Sequence, residues 1–309
     1  MPVKRRRTRR YRKRCRTRRL RGGNPSTASS GASPTESKQA TASPIVFHCD
    51  WHYGDNLLNL KFIYNLSKLL KEKGTKIRYF YDSDYIKNVD ELKRYVDPEV
   101  LTLESGSKPE GAIELWMGHP IDNKAMLTIA AGTPIVPSEE YYDLFYKKMV
   151  KHMGLEGEGI DTSLFQEEPY LKDVYEKLDS KFKDLDVLII NAAPMSGQAF
   201  YDKEKFNKMC IDLASKHKVA TTSPIEGHDS IPCTMRDKLM LQDIGAVSTH
   251  AKHIIATHSG PLTPCFNAET KRHVKKWIIF ADNHAFHSTS NIMIVKRDYD
   301  FGKIEKDLF

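Results

Sequence analysis

Residues 45–74 read IVFHCDWHYGDNLLNLKFIYNLSKLLKEKG, and the order of residue types in them decides the fold. Ile45-Val46-Phe47-His48 is a short apolar strand. A helix follows over 55–73, with Leu57, Leu58, Leu60, Phe62, Ile63, Leu66, Leu69 and Leu70 as its apolar positions and Gly74 ending it. In the turn between them Gly54 permits a sharp bend and Asp55 opens the helix, where an acid satisfies free backbone N–H groups. A strand that passes through a tight turn into a helix is the first half of a βαβ unit.

The alternation continues downstream. The pattern predicts a strand over 76–81, a helix over 83–95 capped by Ser83 or Asp84, and strands over 100–103 and 113–117. Helices over 138–153 and 169–182 bracket a Gly- and acid-rich loop at 156–168. A second series then starts: a buried strand over 186–190, a helix over 202–216, a strand over 218–222, a helix over 234–249 and a strand over 253–257. Further elements follow over 262–274, 277–281 and 292–295. A repeated βαβα progression asks for parallel sheets covered by helices on both faces. The fold class is therefore α/β, with two Rossmann-like domains facing a cleft. The boundary falls near 184, giving an N-terminal domain over 45–183 and a C-terminal domain over 184–309.

A different composition precedes this body. Of the chain's 48 Lys and Arg, fourteen lie in residues 1–44 with Glu36 as the only acid there, so the rest holds 34 bases against 39 acids. The net charge of +8 thus belongs to an arm, and the body is mildly acidic. Residues 24–44 are rich in Ser, Thr, Ala, Gly and Pro, and 1–44 as a whole carries too little apolar surface to offset the entropy of ordering. It is expected to be disordered. Arg5, Arg6, Arg7, Arg9, Arg10, Arg12, Arg14, Arg16, Arg18, Arg19 and Arg21 form a charge block that binds nucleic acid or anionic headgroups through counterion release, without sequence preference.

Composition also excludes several classes. No apolar run reaches the eighteen or so residues of a membrane-spanning helix, so no transmembrane segment is expected. The five cysteines are odd in number, widely spaced and without a CxxC pair, which fits neither a disulfide framework nor a zinc cluster. An Arg-rich start with no apolar stretch after it is not a secretory signal. Neither half carries G-x-G-x-x-G after its first strand, which disfavours a dinucleotide-dependent oxidoreductase. His250, His253 and His258 lie close in sequence but lack carboxylates or thiolates at ligand spacing, and no metal site is expected.

Open α/β sheets bind ligands at the carboxyl ends of their strands, so the turns after strands are where chemistry is sought. Two stand out. Trp51, His52, Tyr53, Gly54 and Asp55 follow the first strand, with aromatic rings suited to C–H-rich sugar faces or to packing under the helix. Thr257, His258, Ser259, Gly260 and Pro261 follow the strand over 253–257, and a helix start there would stabilise a diphosphate. Asp282, Asn283, His284 and His287 follow a third strand.

At these residues the chain resembles the GT-B glycosyltransferases, and within them the bacterial ADP-heptose:lipopolysaccharide heptosyltransferases. Gly54-Asp55-Asn56-Leu57-Leu58 is similar to that family's GDxLL turn, and 235–261 (MRDKLMLQDIGAVSTHAKHIIATHSGP) is similar to its C-terminal helix, strand and D-S-G-P turn. The chain departs from the pattern at His258, where the family usually has Asp, at Thr263, where it commonly has His, and in lacking a basic residue at 196–198. The resemblance implies an inverting, metal-independent glycosyltransferase, of hexosyl or heptosyl type, that needs no cofactor beyond its nucleotide-sugar donor. It places Asp55 as general base on the hydroxyl of a glycan, lipid or protein acceptor. Trp51, His52, Tyr53 and Gly54 lie on the acceptor side, and Ser196, Gly197, Gln198, Thr257, His258, Ser259, Gly260 and Pro261 on the donor. The arm resembles the basic tails of virion proteins from large DNA viruses, which implies an intracellular setting, in host cytoplasm or nucleus, or packaging in a particle. The alternative is a nucleic-acid-associated or packaged protein whose GT-B-like body is a catalytically inactive scaffold.

Overall fold

In the computed structural model, which describes residues 43–115, 138–194, 201–281 and 288–309, β1 (Ile45–Cys49) lies at the centre of the first sheet. The disorder and polyanion expectations for the arm lie outside the described residues. β1 pairs in parallel with β2 (Ile77–Tyr81), Ile45 opposite Ile77 and Cys49 opposite Tyr81, and β2 pairs with β3 (Leu101–Ser105). On its other side β1 pairs with β4 (Ile113–Glu114), giving the order β3-β2-β1-β4. The second sheet holds β5 (Val187–Ile190), β6 (Val219–Thr221), β7 (His253–Thr257), β8 (Lys276–Phe280) and β9 (Ile292–Val295), in the order β6-β5-β7-β8-β9 and parallel throughout. The expected α/β architecture of two parallel sheets is what the chain adopts.

Each sheet has a point where the strand order reverses, at the carboxyl end of β1 in the first and between β5 and β7 in the second. Residues of the second sheet alternate between two cores. Leu188, Ile190, Ile254, Ala256, Trp277 and Ile279 join the core shared with the first half, while Val187, Ile189, Ile255, Ile278 and Phe280 pack under the helix that follows β5. Both faces are covered, so these strands read as unbroken apolar runs.

α1 (Tyr53–Glu72) buries Leu57, Leu58, Leu60, Phe62, Ile63, Leu66 and Leu70. It ends where Gly74 takes φ +66° and the Thr75 N–H donates to Leu70 O, a backbone form that glycine adopts without strain. α2 (Ser138–His152) lies within the expected span, with Phe145, Tyr146 and Met149 in the core. α4 (Lys203–Ala214) starts at Asp202, whose carboxylate accepts the Lys205 N–H.

Four helical expectations are corrected, by local hydrogen bonds, backbone turns or prolines that interrupt the helical pattern. Over 83–95 the helix does not form at its start. Asp82 accepts the Asp84 N–H at 2.7 Å, and only a 3₁₀ turn at Val89–Tyr95 follows, capped by Asn88 rather than by Ser83 or Asp84. The helix expected over 169–182 divides into α3 (Tyr170–Lys177) and a 3₁₀ turn at Ser180–Phe182 that Asp179 caps. The one expected over 234–249 shrinks to α5 (Leu241–Ser248). Thr234 is held to Thr221 by a backbone hydrogen bond, Lys238 takes φ +57°, and Asp243 accepts the Met240 N–H to start the helix. The element expected over 262–274 becomes a 3₁₀ turn at Gly260–Cys265 and α6 (Ala268–His273), because Pro261 and Pro264 lack N–H groups and Asn267 recaps the chain. α7 (Ile304–Leu308) closes against the second core through Ile304 and Leu308.

Candidate active site

Both reversal points open into one cavity of about 580 Å³. The turn after β1 contributes His52, Tyr53, Gly54 and Asp55, the turn after β7 contributes His258, Ser259, Gly260 and Pro261, and Ala192 and Ala193 follow β5. Binding outside the carboxyl ends of strands at a topological switch point is the general rule for open α/β sheets, and here two such points share one space.

The two turns meet through backbone. A Cβ added to Gly54 would lie 3.1 Å from Thr263 Oγ1 and 3.4 Å from Gly260 Cα, and one added to Gly260 would reach the Gly54 nitrogen at 3.6 Å. A side chain at Gly54 would therefore have to displace the Thr263 hydroxyl by a few tenths of an ångström. Behind it Asn56, fully buried, donates to Trp51 O at 2.7 Å and His52 O at 3.1 Å and accepts from Tyr79 Oη at 2.8 Å. About one turn farther along α1, Asn59 donates to Leu115 O and accepts from Tyr146 Oη. These amides fix the turn that carries Asp55 and the exit of β4.

Asp55 stands in the first turn of α1. Burial pushes its carboxyl above the usual aspartate range, against the positive influence of His52 and the backbone N–H groups of Asp55 and His52, which hold it down. It is thus both a helix cap and a cavity group. Tyr53 is braced across the cavity mouth, its hydroxyl accepting the Asn88 N–H at 2.6 Å and donating to Asn88 O at 3.2 Å. The edge of the His52 ring meets Tyr85 at 4.6 Å between centroids.

On the opposite turn, burial drives the His258 imidazole down to about 4, so it is neutral at neutral pH. Between about pH 4 and 6.5 the unfolded chain binds a proton at this residue that the folded chain refuses, so stability rises with pH across that window and is lost on acidification. Relative to His258→Gln, the wild-type chain should lose on the order of 2–3 kcal/mol more between pH 6.5 and 4. Denaturant titrations at several pH values read this directly, and parallel curves for the two proteins would remove the buried-imidazole account.

Of the donor-side residues, Thr257 is placed elsewhere and Ser259 lines the cavity without capping a helix. Thr257 is fully buried and does not line the cavity; its hydroxyl is 2.6 Å from Ala192 O and 3.1 Å from Ser259 Oγ, tying β7 to the end of β5. Ser259 does not cap the following turn, whose Leu262 N–H already donates to Ser259 O, so the helix start expected as a diphosphate cradle is replaced by a short proline-containing 3₁₀ turn. Trp51 packs on the core and does not line the cavity. Ser196, Gly197, Gln198, Asp282, Asn283, His284 and His287 lie outside the described residues. The three neighbouring histidines are separated: His250 stacks on Tyr175 at 3.9 Å and His253 meets Phe309 at 4.8 Å, while His258 faces the cavity. Among the described residues no group of three or more His, Cys, Asp or Glu is poised for a metal, and no helix is long and apolar enough to cross a membrane.

The sequence reading missed one wall. Asp84, Tyr85, Lys87, Asn88 and Glu91 follow β2 and line the cavity, and Glu91 accepts the Leu241 N–H at the start of α5 at 2.7 Å. Their signal was their position after a strand, which a helix assigned over 83–95 concealed. Leu58, Tyr142, Leu241 and Phe266 supply the apolar remainder.

Two parallel α/β sheets with a shared cavity at their switch points define the class of protein. No family model and no curated protein matches the chain. Among solved structures it is similar to a glycosyl transferase family 9 protein from Veillonella parvula DSM 2008, at 15% identity over 85% of this chain and 90% of that one, with a TM-score of 0.45. It is also similar to the E. coli heptosyltransferase WaaC with ADP (10% identity, 84% and 95% covered, TM-score 0.49). The E. coli ADP-heptose lps heptosyltransferase II is a further match (11% identity, 85% and 97% covered, TM-score 0.43). At these identities and scores the likeness reaches no further than the path of the chain.

Proposed function

We propose that this chain is a glycosyltransferase that moves a sugar from a nucleotide-sugar donor to a hydroxyl acceptor with inversion and without a metal. The observation that carries the reading is the meeting of the Asp55 turn and the Gly260 turn in one cavity at both switch points. Asp55 takes the proton from the acceptor hydroxyl, the freed oxygen attacks the anomeric carbon from the face opposite the nucleotide, and the carbon–oxygen bond to the diphosphate breaks with its electrons. The turn over 258–261 lies on the side where the diphosphate leaves, and stabilising that departing charge is the larger electrostatic task. With this reading goes a division near residue 184, the acceptor held by 45–183 and the donor by 184–309. The Arg-rich arm over 1–21 then adds a polyanion contact of its own.

A second reading has its own support. Asp55 accepts the His52 backbone N–H as a helix cap does, which fits an inactive scaffold whose arm supplies the function. A thermal-shift screen of the chain against UDP-, GDP-, ADP-, CMP- and dTDP-sugars, with and without chelator, separates the two. Binding at about a hundred times Kd stabilises a fold by roughly 2.7 kcal/mol, so a nucleotide-selective rise of several degrees that survives chelation is expected. No rise with any nucleotide, while the chain still binds RNA or DNA, would give the scaffold reading preference.

A further inference from the structure

α1 and the segment over 260–266 run side by side and touch at two places. At the cavity, Gly54 faces Gly260 and Thr263. Two helical turns behind it, Lys61 is buried at 3% exposure and pairs at 2.7 Å with Glu168, buried at 5%. Lys61 Nζ also donates to Phe266 O, the residue that ends the 3₁₀ turn begun at Gly260, and to Leu164 O at 3.5 Å. An ammonium group has three donors, and all three are engaged.

The other end of the pair is equally occupied. Glu168 accepts from Tyr95 Oη at 2.8 Å and from Tyr170 Oη at 2.6 Å. Burial and the neighbouring Glu168 charge hold both phenols protonated, so they remain donors. The Arg94 guanidinium lies 3.4 Å over the Tyr170 ring and covers the cluster. Close by, the Ala268 N–H donates to Gln166 O, stitching the same loop to the residues after Phe266.

Stability alone does not account for a charged pair in such a place. Replacing a buried ion pair by apolar groups of similar volume is often neutral or stabilising, so what the pair supplies is direction. Here that direction joins α1, the turn bearing Tyr95, the 164–170 loop and the backbone of Phe266. Phe266 lines the cavity and Gly54 sits at its floor. We propose that Lys61 and Glu168, with Tyr95 and Tyr170, are positioning residues that set how the turn bearing Asp55 meets the turn bearing Gly260 and so align the two sides of the cavity. Their effect on turnover rests on the glycosyltransferase reading; their effect on the turns does not.

The test uses the full chain and the double variant Lys61→Met/Glu168→Gln, which strands no buried charge. Amide hydrogen exchange should rise about tenfold or more in peptides covering 53–60 and 259–267 and stay at wild-type rates in β5 and β7. With whichever of the five nucleotide-sugars raises the melting temperature, kcat should fall about 10²-fold while donor affinity changes less than about threefold, the split expected of lost alignment rather than lost binding. The variant Tyr95→Phe/Tyr170→Phe, which leaves the ion pair in place, should loosen the same two segments to a smaller degree and decides the matter if the first variant does not fold. Wild-type exchange in both segments of a folded variant overturns the proposal. A wild-type chain that binds no nucleotide-sugar defeats the glycosyltransferase reading alone, because the exchange measurement still judges the positioning role.

Discussion

Asp55→Asn should keep the fold and donor binding while lowering transfer by about 10²- to 10⁴-fold, the range that base catalysis contributes. Asparagine retains an oxygen to accept the His52 N–H, so the start of α1 survives. The stability sign is opposite to that of most core substitutions. Burial raises the Asp55 pKa, so the folded chain binds a proton here more readily than the unfolded chain, and stability falls as pH rises through that window. A neutral amide removes the penalty, and the variant should melt at or above the wild-type temperature at pH 7. On the glycosyltransferase reading, the acidic limb of the wild-type kcat/KM should lie above the pH expected of an ordinary aspartate. Transfer at the wild-type rate would remove Asp55 as the base, whereas a lower melting temperature would show that its charge is needed for the fold.

Trp277→Ala should cost about 3–5 kcal/mol, the range expected for truncating a buried aromatic side chain. Trp277 is 1% exposed, stacks parallel to Phe266 at 6.2 Å and meets the edge of Phe165 at 6.3 Å. The indole fills the space between β8 and the residues that close the cavity from behind, so the substitution leaves a void under Phe266. Urea unfolding should show an unchanged slope with a lower midpoint, and the melting temperature should drop on the order of 10 °C. Nucleotide-sugar affinity should fall as well, since Phe266 loses its support. A cost under about 1 kcal/mol would mean that the aromatic group collapses to fill the space.

The strands and the site turns were legible because their signals are local. Runs such as Val187-Leu188-Ile189-Ile190 are apolar at every position only when both faces are buried, and the bend at Gly54 declares itself by glycine followed by a helix-opening acid. What escaped was decided over longer distances. Lys61 sits between Leu60 and Phe62 and reads as a solvent-facing lysine until Glu168 and Phe266 O are brought to it from later parts of the chain. Asn56 and Asn59 read as the polar face of α1, yet both are buried and employed in holding loops. The helix assigned over 83–95 failed for a subtler reason, in that Asp82 and Asn88 can satisfy nearby N–H groups themselves and so remove the advantage of helix formation.

The Gly54 and Gly260 contact has a consequence for how such a protein can change. With no side chain on either residue the two turns meet bare, and a side chain at Gly54 would press on the Thr263 hydroxyl, whereas one at Gly260 would stand at ordinary contact distance from Gly54. The rim after β2 is different. Tyr85 and Lys87 are exposed there, so new preferences for a partner molecule can be tried at little cost to folding. Divergence should therefore accumulate around the mouth while Gly54 beneath stays bare.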